Sequence, residues 1–150
     1  MLTNKQALQA YGEIVEAYVS NEPLPVTAVN LFVEAIKDLQ VRDYLLGHAP
    51  MTFGAEGAVA FVTEILPLVD EAQRAPFYTV MSAWYYEAGD KDLAFASLTQ
   101  AQALNPDYSL ANLLERVIKS GFPMDFAEMR NELHPKVVEN FEVETELEYA

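Results

Sequence analysis

Apolar residues recur at three- and four-residue intervals along most of the chain, the period of amphipathic helices. Residues 4–19 place Leu8, Tyr11, Val15 and Tyr18 on one stripe, with Thr3 in front as an N-cap. Gly12 weakens this helix by up to ~1 kcal/mol relative to alanine. The run "NEPLP" is a break, because two closely spaced prolines cannot sit inside a helix. A second helix is expected over about 26–46, with Val29, Phe32, Val33 and Ile36 on its apolar face, a bend or restart near Val41, and Gly47 as its stop. "HAPMTFGAEG" reads as a loop. A third helix is expected from about Ala55, carrying Val59, Val62, Ile65 and Leu66 until Pro67 ends or kinks it.

The next segment, from Pro76 to Gly89, is apolar all round: Phe77, Met81 and Trp84 share one face, and Tyr78 and Tyr85 lie on another. Such a helix belongs at the centre of a fold. Asp90 is placed to cap a fifth helix over 91–104, with Leu93, Ala94, Ala101 and Leu104 inward. Asn105-Pro106 separates it from a sixth helix, 107–120, bearing Leu110, Leu113, Leu114 and Val117, with Glu115 and Lys119 as an i,i+4 ion pair. Asp125 and Glu128 have capping-box spacing ahead of a short helix with Phe126, Met129 and Leu133, closed by Pro135. After that the period changes to two: "FEVETELEY" alternates apolar and acidic residues. No other segment reads as a strand, so this one is either an acidic tail, mobile on its own, or a strand that pairs with another chain; the tail is the expectation. The predicted fold class is all-α, a bundle of six or seven helices with a helix hairpin at its centre. It is organised as one helical domain, 1–135, and an acidic C-terminal tail, 136–150.

Within the central hairpin, Tyr85, Gly89, Ala94, Ala101 and Pro106 stand at the spacing of one tetratricopeptide repeat, and the stretch 75–108 resembles that family of helix hairpins of about 34 residues. Two alanines two turns apart on one face let the helices approach closely. A second copy is not found, so other helices must cover the hairpin. The Lys and Asn with which peptide-clamping members of that family grip a C-terminal carboxylate are replaced here by Thr79 and Ala83. By this resemblance the groove-facing positions are Thr79, Ala83, Tyr86 and Glu87. Together with Phe141, Glu142, Val143, Glu144, Glu146, Leu147, Glu148 and Tyr149 of the tail, they form the candidate partner surface. More broadly, "VRDYLLG", Arg74-Ala75-Pro76, Trp84, Gly89-Asp90 and Asn105-Pro106-Asp107-Tyr108 make residues 38–121 similar to the C-terminal helical half of a large uncharacterised domain family of actinobacteria and their phages. The α/β half that precedes it in that family has no counterpart in this sequence. The resemblance implies a helical fold and an actinobacterial or phage source, and no activity.

Charge narrows the partners. The chain of 150 residues has 23 acidic against nine basic residues, a net −14, while 51% of it is hydrophobic. That potential disfavours direct binding to nucleic acid or to anionic membranes and permits a basic protein partner. The lack of cysteine excludes disulfides and thiol chemistry. No uninterrupted apolar run approaches the ~20 residues that span a bilayer, and the N-terminus lacks the order of a signal peptide, so a cytoplasmic protein is expected. His48 and His134 lie far apart, without ligand spacing, and are expected to be ordinary exposed histidines with no metal or cofactor. "FGAEGA" lacks the lysine of a phosphate loop. The function expected is therefore a non-enzymatic protein-interaction module, phage or prophage encoded by the resemblance. The alternative is an acidic decoy that occupies the basic face of a nucleic-acid-binding protein.

Overall fold

The computed structural model of the chain describes residues 2–121 and 126–143. Its first helix, α1 (Asn4–Val19), starts on a capping box: the Thr3 hydroxyl accepts from the Gln6 N–H at 3.1 Å, and the Gln6 side chain accepts from the Thr3 N–H at 2.9 Å. α2 (Val26–Ala35) follows the proline break and buries Val29, Phe32 and Val33, as the periodicity predicts. It ends at Ala35, and the restart expected near Val41 is a separate helix, because Asp38 caps it by accepting from the Gln40 N–H at 2.8 Å.

That new helix, α3 (Leu39–Ile65), corrects the sequence expectation most. The segment taken for a loop is helical on both sides of one residue, Gly54, whose φ of 78° and ψ of 169° break the helix into two pieces. A positive φ is reached by glycine without steric cost, so the break falls there and not at Gly47 or Pro50. By length and composition alone, Leu39–Leu68 is apolar enough to cross a membrane. In this fold its Leu45, Ala49, Phe61, Val62 and Ile65 face the protein core. Pro67 ends it in a short 3-10 turn, Leu66–Leu68.

α4 (Ala75–Glu87) is the central helix that its all-round apolar pattern predicts. Phe77, Val80, Met81 and Trp84 pack with α1–α3 in the larger core cluster. Ala83 joins Ala94, Leu98 and Ala101 of α5 (Lys91–Leu104), and Ala111, Leu114 and Ile118 of α6 (Ser109–Ser120), in a second one. The α4–α5 turn falls at Gly89, with φ 87°, and Asp90 caps α5 by accepting from the Leu93 N–H at 3.0 Å. Ala94 and Ala101 are fully buried at the crossing, where the Ser82 hydroxyl donates to the Ala94 carbonyl at 2.7 Å. Leu93, expected inward, is 45% exposed.

α7 (Phe126–Val143) runs through Pro135 instead of ending there. Asn131, Glu132 and Pro135 are all exposed, so water can solvate the carbonyl that loses its partner to the proline. The helix therefore crosses the expected domain boundary at 135/136. Residues 136–143 belong to it, with Phe141, Glu142 and Val143 helical rather than extended. The remaining tail positions, Glu144, Glu146, Leu147, Glu148 and Tyr149, and the expected cap Asp125, lie outside the described residues. Among the described residues the fold is all-α, with seven α-helices, as predicted.

Candidate binding cleft

α6 is apolar over two neighbouring stripes. Ala111, Leu114 and Ile118 are buried in the core. Leu110, Leu113 and Val117, a third of a turn away, line a cleft instead. Leu133 and Val137 of α7 form the facing wall, Leu46 and Gly47 of α3 form a third, and Ala83 and Trp84 of α4 form the floor. The volume is about 430 Å³, in the range of small-molecule pockets, ~300–1,000 Å³. The Trp84 indole N–H donates to the Leu46 carbonyl at 3.1 Å and so fixes the floor to the α3 wall. Leu113 and Leu133 stand at the rim, each 49% exposed.

The charged lining is mostly cationic, with His134 and Asn140 beside it. Arg42, Arg130 and Lys136 border the cleft, against a single carboxylate, Asp43. Arg42 donates from Nε and Nη2 to Asp43 Oδ1 at 3.2 and 3.0 Å, and its guanidinium carbon lies 6.0 Å from the Tyr108 ring centroid. Burial opposes its charge, but the Tyr108 and Asp43 contacts outweigh burial and hold its pKa above the ordinary value. Arg130 donates to Glu87 across the α4–α7 gap, with both side chains mostly shielded from water. Lys136 is exposed.

Beside the cleft, the fold joins the two histidines that the sequence separates, correcting the expectation that both are exposed and unrelated. His134 is only 9% exposed, and its ring centroid lies 6.3 Å from that of His48. Tyr44 stacks on His48 at 5.4 Å, and Tyr11 meets it edge-on at 5.1 Å. The Tyr11 hydroxyl and His48 Nδ1 are 2.9 Å apart. Burial first, and then the nearby Tyr44, keep the Tyr11 phenol protonated, so it can donate to His48. Burial lowers the pKa of both histidines, helped at His48 by His134 and at His134 by Arg130. His134 Nδ1 is buried without a hydrogen-bond partner among the described residues, because it rests on the backbone of Gly47. A Cβ on Gly47 would lie 2.5 Å from that nitrogen. The tyrosines and the α3 glycine carried no sequence signal linking them to α7.

The groove positions inferred from the repeat resemblance are distributed differently from the expectation. Thr79 is fully buried and donates its hydroxyl to the Ala75 carbonyl at 2.8 Å, so it offers nothing to a partner. Ala83 is 4% exposed and lies at the cleft floor under α6 and α7, Tyr86 is half-buried, and Glu87 is engaged by Arg130. At Ala83 and Glu87 the cause is α6 and α7, which come over part of the face that an isolated hairpin would leave open. Among the described residues, no group of three or more histidine, aspartate or glutamate side chains is arranged to hold a metal ion.

No curated protein and no solved structure matches the chain. One family does, over residues 3–124, which takes in α1 to α6 and stops short of α7. That span is most of the sequence and includes α1 and α2, which the resemblance over 38–121 left out. The chain belongs to the family described as Domain of unknown function (DUF4192).

Proposed function

We propose that the protein is a non-enzymatic interaction module, and that it engages a protein partner through the ridge formed by α6 and α7 around the cleft. The observation that carries this reading is the pair Leu113 and Leu133, on different helices, each half exposed at the rim of one apolar depression. Scattered surface leucines are ordinary, whereas apolar side chains that converge on a concave surface favour a binding role. The helix hairpin of α4 and α5, with its tetratricopeptide-like spacing, serves here as the scaffold beneath that ridge rather than as the contact face.

The net charge of −14 supports a second reading, the acidic decoy that occupies a basic partner. One experiment separates the two. The tagged full chain and its Leu113→Asp/Leu133→Asp variant are used to capture proteins from an actinobacterial lysate, the source to which the sequence resemblance points, at low and at high salt. The module reading expects a partner retained at high salt and lost with the double variant. A partner held equally by the variant and released by salt is the decoy result. Capture of no protein under either condition overturns both.

A further inference from the structure

We propose that the cleft between α3, α4, α6 and α7 is a binding site for a small amphiphilic carboxylate, a ligand with an apolar body and one anionic head. Three of the nine lysines and arginines of the chain border this one depression, while one of its 23 acidic residues does. The ratio of bases to acids is thus inverted locally in a strongly acidic protein. Arg42 is paired with Asp43 and Arg130 with Glu87, so the local excess is the one positive charge of Lys136, and within a Debye length of ~8 Å it favours an anion over a cation at this depression.

The cations also have donors to spare. A guanidinium carries five N–H groups. Arg42 directs Nε and Nη2 at one carboxylate oxygen of Asp43 and also contacts Tyr108, while Arg130 reaches Glu87 through Nη2. Lys136 makes no ion pair among the described residues. A carboxylate suits such donors because it accepts from arginine with two oxygens at once. Leu46, Leu110, Val117 and Val137 supply apolar walls for the rest of the ligand. About 430 Å³ between four helices suits one small molecule better than a length of polypeptide, which needs an extended groove.

The protein contains its own reporter. Trp84 is the single tryptophan and forms part of the cleft floor. The full chain is titrated with decanoate below its micelle concentration while tryptophan emission is followed, with decyltrimethylammonium and an acidic amphipathic peptide as comparison ligands. The expected result is a saturable one-to-one change with decanoate, binding of the cation about tenfold weaker or worse, and a loss of about fivefold in Lys136→Glu. Lys136 is exposed, so this variant keeps the fold, which circular dichroism checks. No saturable change with decanoate, equal affinity for the cationic amphiphile, or unchanged affinity in Lys136→Glu overturns the proposal. Binding of the peptide without binding of decanoate overturns it as well and makes the cleft a docking groove. None of these outcomes overturns the interaction reading, whose own test is protein capture at Leu113 and Leu133.

Discussion

Gly47→Ala should destabilise the protein through His134 alone, and this can be tested by a change of sign. Gly47 lies inside α3 without a positive φ, so alanine fits its backbone, and on helix propensity it should stabilise by up to ~1 kcal/mol. The new Cβ, however, would sit 2.5 Å from His134 Nδ1, 3.0 Å from its Cγ and 3.3 Å from its Cβ. Favourable contact needs roughly 3.5–4.0 Å, so the ring must retreat by about 1 Å. Turning the ring relieves Nδ1 but not Cγ, and α7 itself must move or His134 must leave its site. Overpacking of this kind costs ~1–3 kcal/mol. Set against the propensity gain, Gly47→Ala should lower stability by ~0–3 kcal/mol. In a His134→Ala background only the 3.3 Å contact with the residue-134 Cβ is left, which a shift of a few tenths of an ångström relieves, and the same change should raise stability by up to ~1 kcal/mol. A double-mutant cycle by urea denaturation gives the coupling, expected at ~1–3 kcal/mol, and hydrogen exchange should show the loss concentrated in α7 amides. An effect of Gly47→Ala that is the same with and without His134 would refute the seating of α7 on α3.

The histidine pair predicts acid sensitivity. Burial lowers the pKa of His48 and His134 below the ordinary 6.5, so the unfolded chain binds more protons than the folded one as pH falls below that value, and stability must fall with it. The slope is at most ~1.4 kcal/mol per pH unit per histidine. The groups facing the pair, Tyr11, Tyr44 and Arg130, do not change charge in this window. Urea midpoints measured between about pH 7.5 and 5.5 should drop in the wild type and drop less in His48→Asn/His134→Gln; parallel profiles would contradict the burial of the pair. At the α4–α5 crossing, where Ala94 is fully buried and its carbonyl accepts from Ser82, Ala94→Leu should cost ~1–3 kcal/mol in a thermal or urea melt, and a parental melt would mean the helices do not touch there.

What the sequence made legible is what it encodes locally. Thr3, Asp90 and Gly89 act on backbone groups within a turn of themselves, and the cap, the cap and the turn fall where the sequence places them. Ala94 and Ala101 follow from hairpin spacing in the same way. Gly47 and Gly54 show where this ends. Either glycine can stop a helix, and the choice between them was made by contacts from elsewhere: His134, arriving on α7, needs the missing Cβ of Gly47 for close approach, whereas nothing lies within 4 Å of the Cβ position at Gly54, which is free to take the break. The histidine pair was hidden for the same reason, since its members meet only after α7 docks.

The cleft did leave a trace that can be read physically. A helix packed on one neighbour needs one apolar stripe. α6 carries two, and only Ala111, Leu114 and Ile118 are consumed by the core. Leu110, Leu113 and Val117 therefore require a second covering surface, and α7 supplies it incompletely. Leu113 and Leu133 keep 49% of their surface in water. Fully burying a leucine side chain gains ~1.5–3 kcal/mol, so covering what these two still expose would contribute roughly 1 kcal/mol each. The neighbouring cations add little to stability where they are exposed, but under either proposal they would select which ligand or partner is tolerated beside them. The exposed apolar surface and the cations thus lie around the same depression, so Leu113 and Leu133 test whether a protein is held there and Lys136 tests whether an anionic ligand is.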